Sequence, residues 1–383
     1  MNPAPLPIDP AATRLLIQFK HVSPLIGCRF DPSGRYLFVS AQDNSLQRFD
    51  LLSGAKTSFL GHQSWVRGIA FIAPKAKEAA ALFVYDKARI AAGAVLGSRA
   101  TALVPLFPPA FTAITGDYHG KLIWWAGEAS EPKPIRSVDA HGGWVRAVAV
   151  SPDGQTIASC GNDHMVKLWS SSDGKHLKTL EGHESHVYNI AFHPDGMHLV
   201  SGDLKGIVKD WDLARGTVTR EFDAKVLHKY DAGFMADIGG IRSIAFNKDG
   251  SLLACAGITN VSNAFAGIGN PIVLLYDWKD GKPKQLKPKD AFQGTAWGVD
   301  FHLEGYVIAA GGGGQGRIWF WKKDELASSH AVTVPVNARD MTLHPDGTCL
   351  AVACSDGTAK VYTMFGKSEI RNPKLETNSK KDK

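Results

Sequence analysis

The chain has 383 residues, of which 44% are hydrophobic and 21% are charged, the balance of a soluble globular protein. Its ten Trp and eighteen Phe residues need a core to bury them, which excludes disorder of the whole chain. The formal net charge is +6, and residues 72–106 and 364–383 each contribute +3 of it. The rest of the chain is therefore neutral, so overall basicity is no argument for nucleic-acid binding by that part.

Signals for targeting and for disulfide bonds are weak. Residues 1–10 contain several Pro and no basic residue, which disfavours a secretory signal. No apolar run approaches the roughly 18 residues that a membrane-spanning helix requires. The number of Cys residues is odd, at five, and no Cys-x-x-Cys pair occurs, so neither a zinc site nor a disulfide framework is indicated. We therefore expect a reducing, cytoplasmic location.

The first predicted strand covers residues 15–19, whose composition favours β-structure. A turn at Pro32, Ser33 and Gly34 follows, and then an aromatic residue, Phe49, ends another predicted strand. The next unit opens at His62 and is interrupted between Phe71 and Phe111 by about 35 additional residues, taken as an insertion at 72–106. This insertion is rich in Ala and favours a helix, which fits either a neutral loop on the rim or a docking element.

The middle of the chain repeats most clearly. His141 precedes Trp169 by 28 residues, and His183 precedes Trp211 by the same interval, with a Pro-Asp-Gly sequence between each pair. The two units are 42 residues apart. Pro presets φ, Asp bonds the local backbone and Gly supplies positive φ, so each Pro-Asp-Gly predicts a tight turn between two strands.

Three further units follow along the chain. They carry turns at residues 247–250, 302–305 and 344–347, and end at the aromatic residues Tyr276, Trp321 and Tyr362. Residues 258–270 lengthen the first of these units and predict a mobile hairpin. The tail, residues 364–383, has few apolar residues and many Lys, Asn and Ser, which predicts a disordered basic segment.

The period, the Gly-His pairs and the Trp-Asp pair resemble the WD-repeat family. The resemblance covers residues 12–363 and implies an all-β fold, a β-propeller of seven four-stranded blades. Residues 15–19 would then complete the last blade, which otherwise stops after its third strand at Tyr362. This closure would join the two ends of the repeat and leave no exposed sheet edge at the seam.

The resemblance also implies a hydrogen-bonded structural tetrad in the third blade. Its members would be His141, Ser159, Asp163 and Trp169. At the position of Asp163, the second blade has His119 and the fourth blade has Lys205. We therefore expect incomplete tetrads and looser packing in these two blades.

The functional prediction comes from aligning the first strands of the blades. The position four residues before the Phe, Val or Leu that ends each strand reads Ile26, Arg67, Arg146, Tyr188, Arg242, Trp297 and Arg339. Two residues earlier the aligned positions include Trp65, Trp144 and His186. By resemblance, these positions form the rim of the central channel, where partner peptides bind. We name nine of these residues the Arg/aromatic face: Trp65, Arg67, Trp144, Arg146, His186, Tyr188, Arg242, Trp297 and Arg339.

Arg and aromatic residues are enriched in binding hot spots, and Arg pairs well with carboxylate or phosphate. The Arg/aromatic face therefore predicts a non-catalytic scaffold that binds an acidic or phosphorylated protein or peptide. The competing interpretation is that these Arg residues are neutralised by neighbouring Asp. We expect no membrane association, and a monomer or a member of a hetero-complex.

Motifs for chemistry are missing from the sequence. It has no Gly-x-Ser-x-Gly elbow, no His-Glu-x-x-His motif and no Gly-x-x-x-x-Gly-Lys-Ser/Thr phosphate loop. The Gly-rich residues 311–316 lie between two predicted strands and predict a hairpin turn. The repeat spreads the His residues around the ring, so we expect no catalytic residue, cofactor or metal.

Two alternatives stay open. A propeller associated with nucleic acid would use the four Arg residues, the insertion and the tail, and its binding would depend steeply on salt. A propeller hydrolase would need carboxylates or His residues that converge at the mouth of the channel.

Overall fold

The computed structural model describes residues 8–73, 111–263 and 268–365, with the side chain of Asn263 left out. Within these residues, strands form seven four-stranded antiparallel sheets and one two-stranded sheet. Each four-stranded sheet is one blade, and the inner strands of all seven blades line a common channel. The predicted insertion at 72–106 lies outside the described residues except for Ile72 and Ala73, and the predicted tail lies outside them from residue 366 onward.

The chain enters through a 3-10 helix, η1 (Pro10–Ala12), and the closing strand β1 (Arg14–Lys20). Blade one contains β2 (Leu25–Phe30), β3 (Tyr36–Ala41), β4 (Leu46–Asp50) and β5 (Lys56–Phe59). Blade two contains β6 (Val66–Ile72), β7 (Thr112–Asp117), β8 (Lys121–Ala126) and β9 (Pro134–Asp139). Blade three contains β10 (Val145–Val150), β11 (Thr156–Gly161), β12 (Val166–Ser170) and β13 (His176–Leu180).

Blade four contains β14 (Val187–Phe192), β15 (His198–Asp203), β16 (Ile207–Asp212) and β17 (Thr217–Asp223). A second 3-10 helix, η2 (Lys225–Leu227), and the hairpin of β18 (His228–Asp231) and β19 (Ala236–Gly239) follow. Blade five contains β20 (Ser243–Phe246), β21 (Leu252–Asn263), β22 (Ile268–Asp277) and β23 (Pro283–Leu286). Blade six contains β24 (Thr295–Phe301), β25 (Val307–Gly312), β26 (Gly316–Trp321) and β27 (His330–Val334). Blade seven contains β28 (Ala338–Leu343), β29 (Cys349–Cys354) and β30 (Thr358–Thr363).

The predicted closure is confirmed. β1 pairs antiparallel with β30, from Arg14 opposite Thr363 to Lys20 opposite Thr358, so the last blade takes its outer strand from the start of the chain. The seam continues past the strands, because Met364 and Phe365 are buried in the core of blade seven. These two residues correct the predicted tail boundary of 364: their apolar side chains pack against the last blade.

The aromatic landmarks of the repeat hold the same place in every blade. In each blade, the first or second residue of the second strand lies opposite the aromatic residue of the third strand. The aromatic residues are Phe49, Trp125, Trp169, Trp211, Tyr276, Trp321 and Tyr362. All seven are at most 5% exposed. Large rings therefore fill the space between blades, which explains why the repeat could be located from its aromatic spacing.

The four residues of the predicted tetrad form a hydrogen-bonded chain in blade three. His141 Nδ1 lies 2.8 Å from Asp163 Oδ1, and His141 Nε2 lies 2.7 Å from Ser159 Oγ. Trp169 Nε1 donates to the same Ser159 Oγ at 2.8 Å. These hydrogen bonds join the connection before the first strand to the second and third strands of the blade.

The expectation of incomplete tetrads in blades two and four is wrong. In blade four, His183 bonds Asp203 at 2.9 Å and Ser201 at 2.7 Å, and Trp211 also bonds Ser201. In blade two, the same arrangement joins His62, Asp117, Thr115 and Trp125. The carboxylate comes from the last residue of the second strand, two positions before His119 or Lys205. A side chain at either backbone position can reach the His ring, so the aligned position does not decide whether the tetrad forms.

Two hairpins, β18–β19 and β21–β22, lie side by side at blade five. The predicted elongation at residues 258–270 is the end of the β21–β22 hairpin, and it packs against the β18–β19 hairpin. Ile238, Ile258 and Val261 form a small buried cluster between them, and Lys229 Nζ donates to the carbonyl oxygen of Val261 at 2.8 Å. Strand direction places both hairpins at the same end of the blades as the Arg/aromatic face. The end of β6 at Ile72 and the start of β7 at Thr112, between which the predicted insertion lies in the sequence, are at the opposite end.

Candidate binding face

We call the aligned positions four residues before the end of each first strand the inner positions, and those two residues earlier the outer positions. Six of the seven inner positions are β-bulges. The register between first and second strands shifts at Ile26, Arg67, Arg146, Tyr188, Trp297 and Arg339, so each of these residues has no partner opposite it. In blade five, Arg242 comes directly before β20, and its backbone N–H donates to the carbonyl oxygen of Ala256. A bulge re-aims the side chain of the extra residue. The fold therefore repeats one local irregularity around the channel, and the sequence places Arg or aromatic residues at six of the seven positions.

The outer positions are held by the neighbouring turns. The backbone N–H of the turn residue after the second strand donates to the carbonyl oxygen of the outer residue at 2.9–3.0 Å in five blades. Trp65 accepts from Tyr118, Trp144 from Asn162, and His186 from Leu204 in this way. Trp65 and Trp144 keep 39% and 41% of their surface exposed, a large fraction for indole rings. Their backbones are fixed while their rings face solvent.

Guanidinium groups and aromatic rings alternate across blades three to six. The Arg146 guanidinium lies 4.5 Å from the Trp144 ring centre and 4.4 Å from that of Tyr188. The Arg242 guanidinium lies 5.0 Å from the ring centres of both Tyr188 and Trp297. Cation–π contacts at these distances stabilise each pair by about 0.5–2 kcal/mol. We call this series, from Trp144 through Arg146, Tyr188 and Arg242 to Trp297, the cation–π ladder.

Tyr118 belongs to this surface and was not predicted. Its ring stacks on Trp144 with centres 4.0 Å apart and planes 3° apart, and it lies 6.0 Å from the Trp65 ring. The residue occupies the turn after β7, outside the strand that was aligned. The sequence does contain a signal for Tyr118: it is an aromatic residue directly after the tetrad Asp117, in a turn that faces the channel mouth. Tyr118 joins Trp65 to the cation–π ladder.

Two predicted members lie at the margins of the ladder. His186 packs 5.3 Å from the His164 ring, and burial, together with the positive charge of Arg146, lowers the pKa of His186. Arg339 lies in blade seven, next to the blade that carries Trp297. Burial and the positive charge of Arg67 lower the pKa of Arg339.

Asp residues neutralise this surface only in part. Asp340 accepts from Arg29 Nη1 at 2.7 Å, and Arg67 Nη1 lies 3.8 Å from the same carboxylate. In the described part of the chain, no ion pair joins an acidic side chain to Arg146, Arg242 or Arg339. The interpretation that neighbouring Asp residues neutralise the Arg side chains thus applies to Arg67 and not to the other three.

The channel behind this face holds a cavity of about 220 Å³. Its charged lining consists of Arg29, Arg67, Arg146, Arg242, Asp300 and Asp340. Burial raises the pKa of Asp300 to about 6. With both carboxylates ionised, the lining still carries two excess positive charges.

Glycine keeps the inner strands close together beneath the ladder. A Cβ atom at Gly298 would lie 2.8 Å from the backbone nitrogen of Met341, and one at Gly68 would lie 3.1 Å from that of Val148. Neither contact can be relieved by rotating a side chain. The narrow channel therefore depends on these two residues.

The described residues contain no group of three or more His, Cys, Asp or Glu side chains arranged to hold a metal ion. They also contain no helix long and apolar enough to cross a membrane. Four of the six charged residues that line the channel cavity are Arg, and guanidinium groups bind anions and stack on aromatic rings.

Seven four-stranded blades around a channel, with His-Ser/Thr-Asp-Trp hydrogen-bond chains in three of them, define a WD-repeat β-propeller. The family model described as WD domain, G-beta repeat, matches residues 132–170, 174–212 and 326–363. Each match begins near the outer strand of one blade and ends with the third strand of the next, which is the offset that the β1–β30 closure requires. The chain is a seven-bladed propeller with WD40 repeats. The comparison with curated proteins found no match.

Proposed function

We propose that this protein is a non-catalytic scaffold that binds an acidic protein or peptide on its Arg/aromatic face. WD40 propellers commonly serve as interaction scaffolds, and they typically have no catalytic activity. Fold alone does not define the partner or the surface, so the proposal depends on the site itself.

One observation carries the proposal: the cation–π ladder presents guanidinium groups and aromatic rings side by side at the mouth of the channel. Trp, Tyr and Arg are enriched in binding hot spots, where they fill well-packed, desolvated pockets. The rings of the ladder also hold the Arg side chains in place before a partner arrives, which lowers the entropic cost of binding. The unneutralised positive charge favours acidic partners and raises their association rate.

The hairpins at blade five add a wall to the same end of the propeller. Tyr230 and Met235 at the β18–β19 hairpin are 56% and 81% exposed. A peptide that crossed the ladder from Trp65 toward Trp297 would reach this wall. We propose that it contributes apolar contacts to the partner.

Partner capture with matched charge variants tests the proposal. The purified protein would retain partners from native lysate, with and without nuclease, beside a variant with Arg67, Arg146, Arg242 and Arg339 changed to Ala. The control replaces Lys175, Arg215, Lys279 and Lys282 with Ala. These four residues are exposed and lie in turns between third and fourth strands, at the opposite end of the blades.

A discrete protein that survives nuclease, is lost by the first variant and is kept by the control would support the proposal. Retention that disappears with nuclease would favour the nucleic-acid alternative. Equal retention by both variants would overturn the assignment to the Arg/aromatic face.

A further inference from the structure

The Arg residues at the channel differ in how far their hydrogen-bonding capacity is used. Arg29 donates to Asp340 at 2.7 Å and to the carbonyl oxygen of Cys28 at 2.6 Å. Arg146 donates from Nε to Asn162 Oδ1 at 2.7 Å and lies between two aromatic rings. These two guanidinium groups are held by the protein itself.

Arg242 also lies between two aromatic rings, but its Nε lacks the acceptor that Arg146 Nε has in Asn162. Arg242 Nε is buried and has no hydrogen-bond partner in the described part of the chain. No carboxylate there forms an ion pair with Arg242 or with Arg339. Burial, and the positive charges of Arg146 and Arg67, lower the pKa of Arg242. The buried Nε of Arg242 therefore lacks an acceptor that a bound ligand would supply.

Arg67 faces the same channel, and its positive charge acts on both Arg242 and Arg339. It donates to the carbonyl oxygen of Ile26, and it shares Asp340 with Arg29. One carboxylate thus serves two guanidinium groups. Donors of Arg67, Arg242 and Arg339 remain available at the channel mouth, above a cavity of about 220 Å³.

We infer that the group bound at the centre of the Arg/aromatic face is a phosphate monoester on a side chain of the partner protein. Its oxygens would accept hydrogen bonds from Arg67, Arg242 and Arg339, while Arg146 positions the neighbouring rings. This inference deepens the proposed function and rests on it.

Charge and donor number favour phosphate over a carboxylate. A phosphate monoester carries about −1.5 to −2 charges and three strong acceptor oxygens at neutral pH, whereas a carboxylate carries one charge and two oxygens. The cavity lining has two excess positive charges, and Arg67 and Arg242 belong to it. Arg also binds phosphate oxygens through paired N–H groups, which Lys cannot do. A single doubly charged group therefore fits this surface better than one carboxylate.

The test compares three fluorescent peptide libraries by anisotropy. The libraries are degenerate except for a fixed central residue, which is phosphoserine, Glu or Ser. We expect the phosphoserine library to bind about tenfold or more tightly than the other two. The variant R242Q/R339Q should lose this preference, and the control K175A/R215A, which removes two positive charges at the opposite end, should keep it.

Inorganic phosphate provides the second readout. At constant ionic strength it should raise the melting temperature of the parent and of K175A/R215A, and not that of R242Q/R339Q. The same measurement in chloride alone shows whether R242Q/R339Q is folded.

The outcomes separate this inference from the proposed function. Equal binding of the Glu and phosphoserine libraries, both tighter than Ser, would overturn the phosphate inference and leave acidic-peptide binding in place. Stabilisation by inorganic phosphate without any preference among the libraries would overturn the protein source of the phosphate. A phosphoserine preference that R242Q/R339Q retains would overturn the assignment to these Arg residues.

Discussion

His344 Nε2 in the last blade donates a hydrogen bond of 2.9 Å to the carbonyl oxygen of Gly34 in the first blade. Two other His residues at the same position make the same contact with the next blade. His193 bonds the carbonyl oxygen of Gly250, and His302 bonds that of Gly347, at 3.0 Å and 2.9 Å. Each bond joins the end of one first strand to the turn of the following blade. The His344 bond therefore reinforces the closure that β1 and β30 provide at their own strand pairing.

The contact predicts that a Gly-to-Ala substitution destabilises the fold more at Gly34 than at Gly196. Gly34 and Gly196 occupy the same turn position with φ of 73° and 71°, so Ala is strained by about 1–2 kcal/mol at both. A Cβ at Gly34 would lie 2.2 Å from His344 Nε2, whereas a Cβ at Gly196 would have no atom within 4 Å. We expect G34A to lower the free energy of unfolding by about 1–3 kcal/mol more than G196A, as measured by urea denaturation.

The double variant G34A/H344A isolates the cause. Removing the imidazole leaves only the backbone strain at residue 34, so the additional cost of G34A should disappear in the H344A background. If G34A costs the same amount with and without the imidazole, the contact between these two residues is not the reason.

The tetrad in blade four yields a second prediction. Asp203 is 3% exposed at its side chain and bonds His183, whereas no hydrogen bond or ion pair involves the Lys205 side chain in the described residues. D203A should lower the free energy of unfolding by about 3 kcal/mol, because it leaves a buried His without its partner. K205A, at the position where the sequence alignment places the carboxylate, should change it by less than about 0.5 kcal/mol.

Thermal or urea unfolding of both variants and the parent checks this prediction. D163A in blade three is the positive control, since Asp163 bonds His141 from the aligned position. Equal stabilities of D203A and K205A would show that the hydrogen-bonded chain in blade four contributes nothing beyond its packing.

The sequence predicted what is encoded locally and repeated. Turns such as Pro194, Asp195 and Gly196 and aromatic residues such as Trp211 set the blade number, the strand order and the closure, because each acts within a few residues of its own position. The tetrads of blades two and four could not be predicted correctly, because Asp117 and Asp203 reach the His ring from a different backbone position.

The aligned positions of the candidate face were predicted from the sequence, whereas the contacts between blades, Tyr118 and the β18–β19 hairpin were not. The aligned Arg and aromatic residues do lie together, but contacts such as Arg146 with Tyr188 depend on the spacing of neighbouring blades, which no single repeat encodes. Tyr118 lies in a turn of variable sequence. The β18–β19 hairpin carries none of the landmarks of the repeat, and it is stabilised by Ile238 packing on Ile258 and Val261 from another hairpin.

Two carboxylates predict how stability depends on pH. Burial raises the pKa of Asp163, but hydrogen bonds from His141 and two backbone N–H groups outweigh it and lower the pKa to about 2. The pKa of Asp346 is likewise about 2, because hydrogen bonds from His344 and Thr348 outweigh burial. The value in an unfolded chain is about 3.9. Each ionised carboxylate therefore stabilises the fold above about pH 4, and this contribution is lost as the pH falls from about 4 to 2.

The variant D163N/D346N should accordingly be less stable than the parent at pH 6, by up to about 2 kcal/mol for each site, and the difference should shrink as the pH approaches 2.5. Urea denaturation between pH 6 and pH 2.5 measures it. D139N, which changes a carboxylate that is 84% exposed, is the matched control and should follow the parent at every pH. A constant difference between D163N/D346N and the parent across this range would mean that the two substitutions act through packing and not through ionisation.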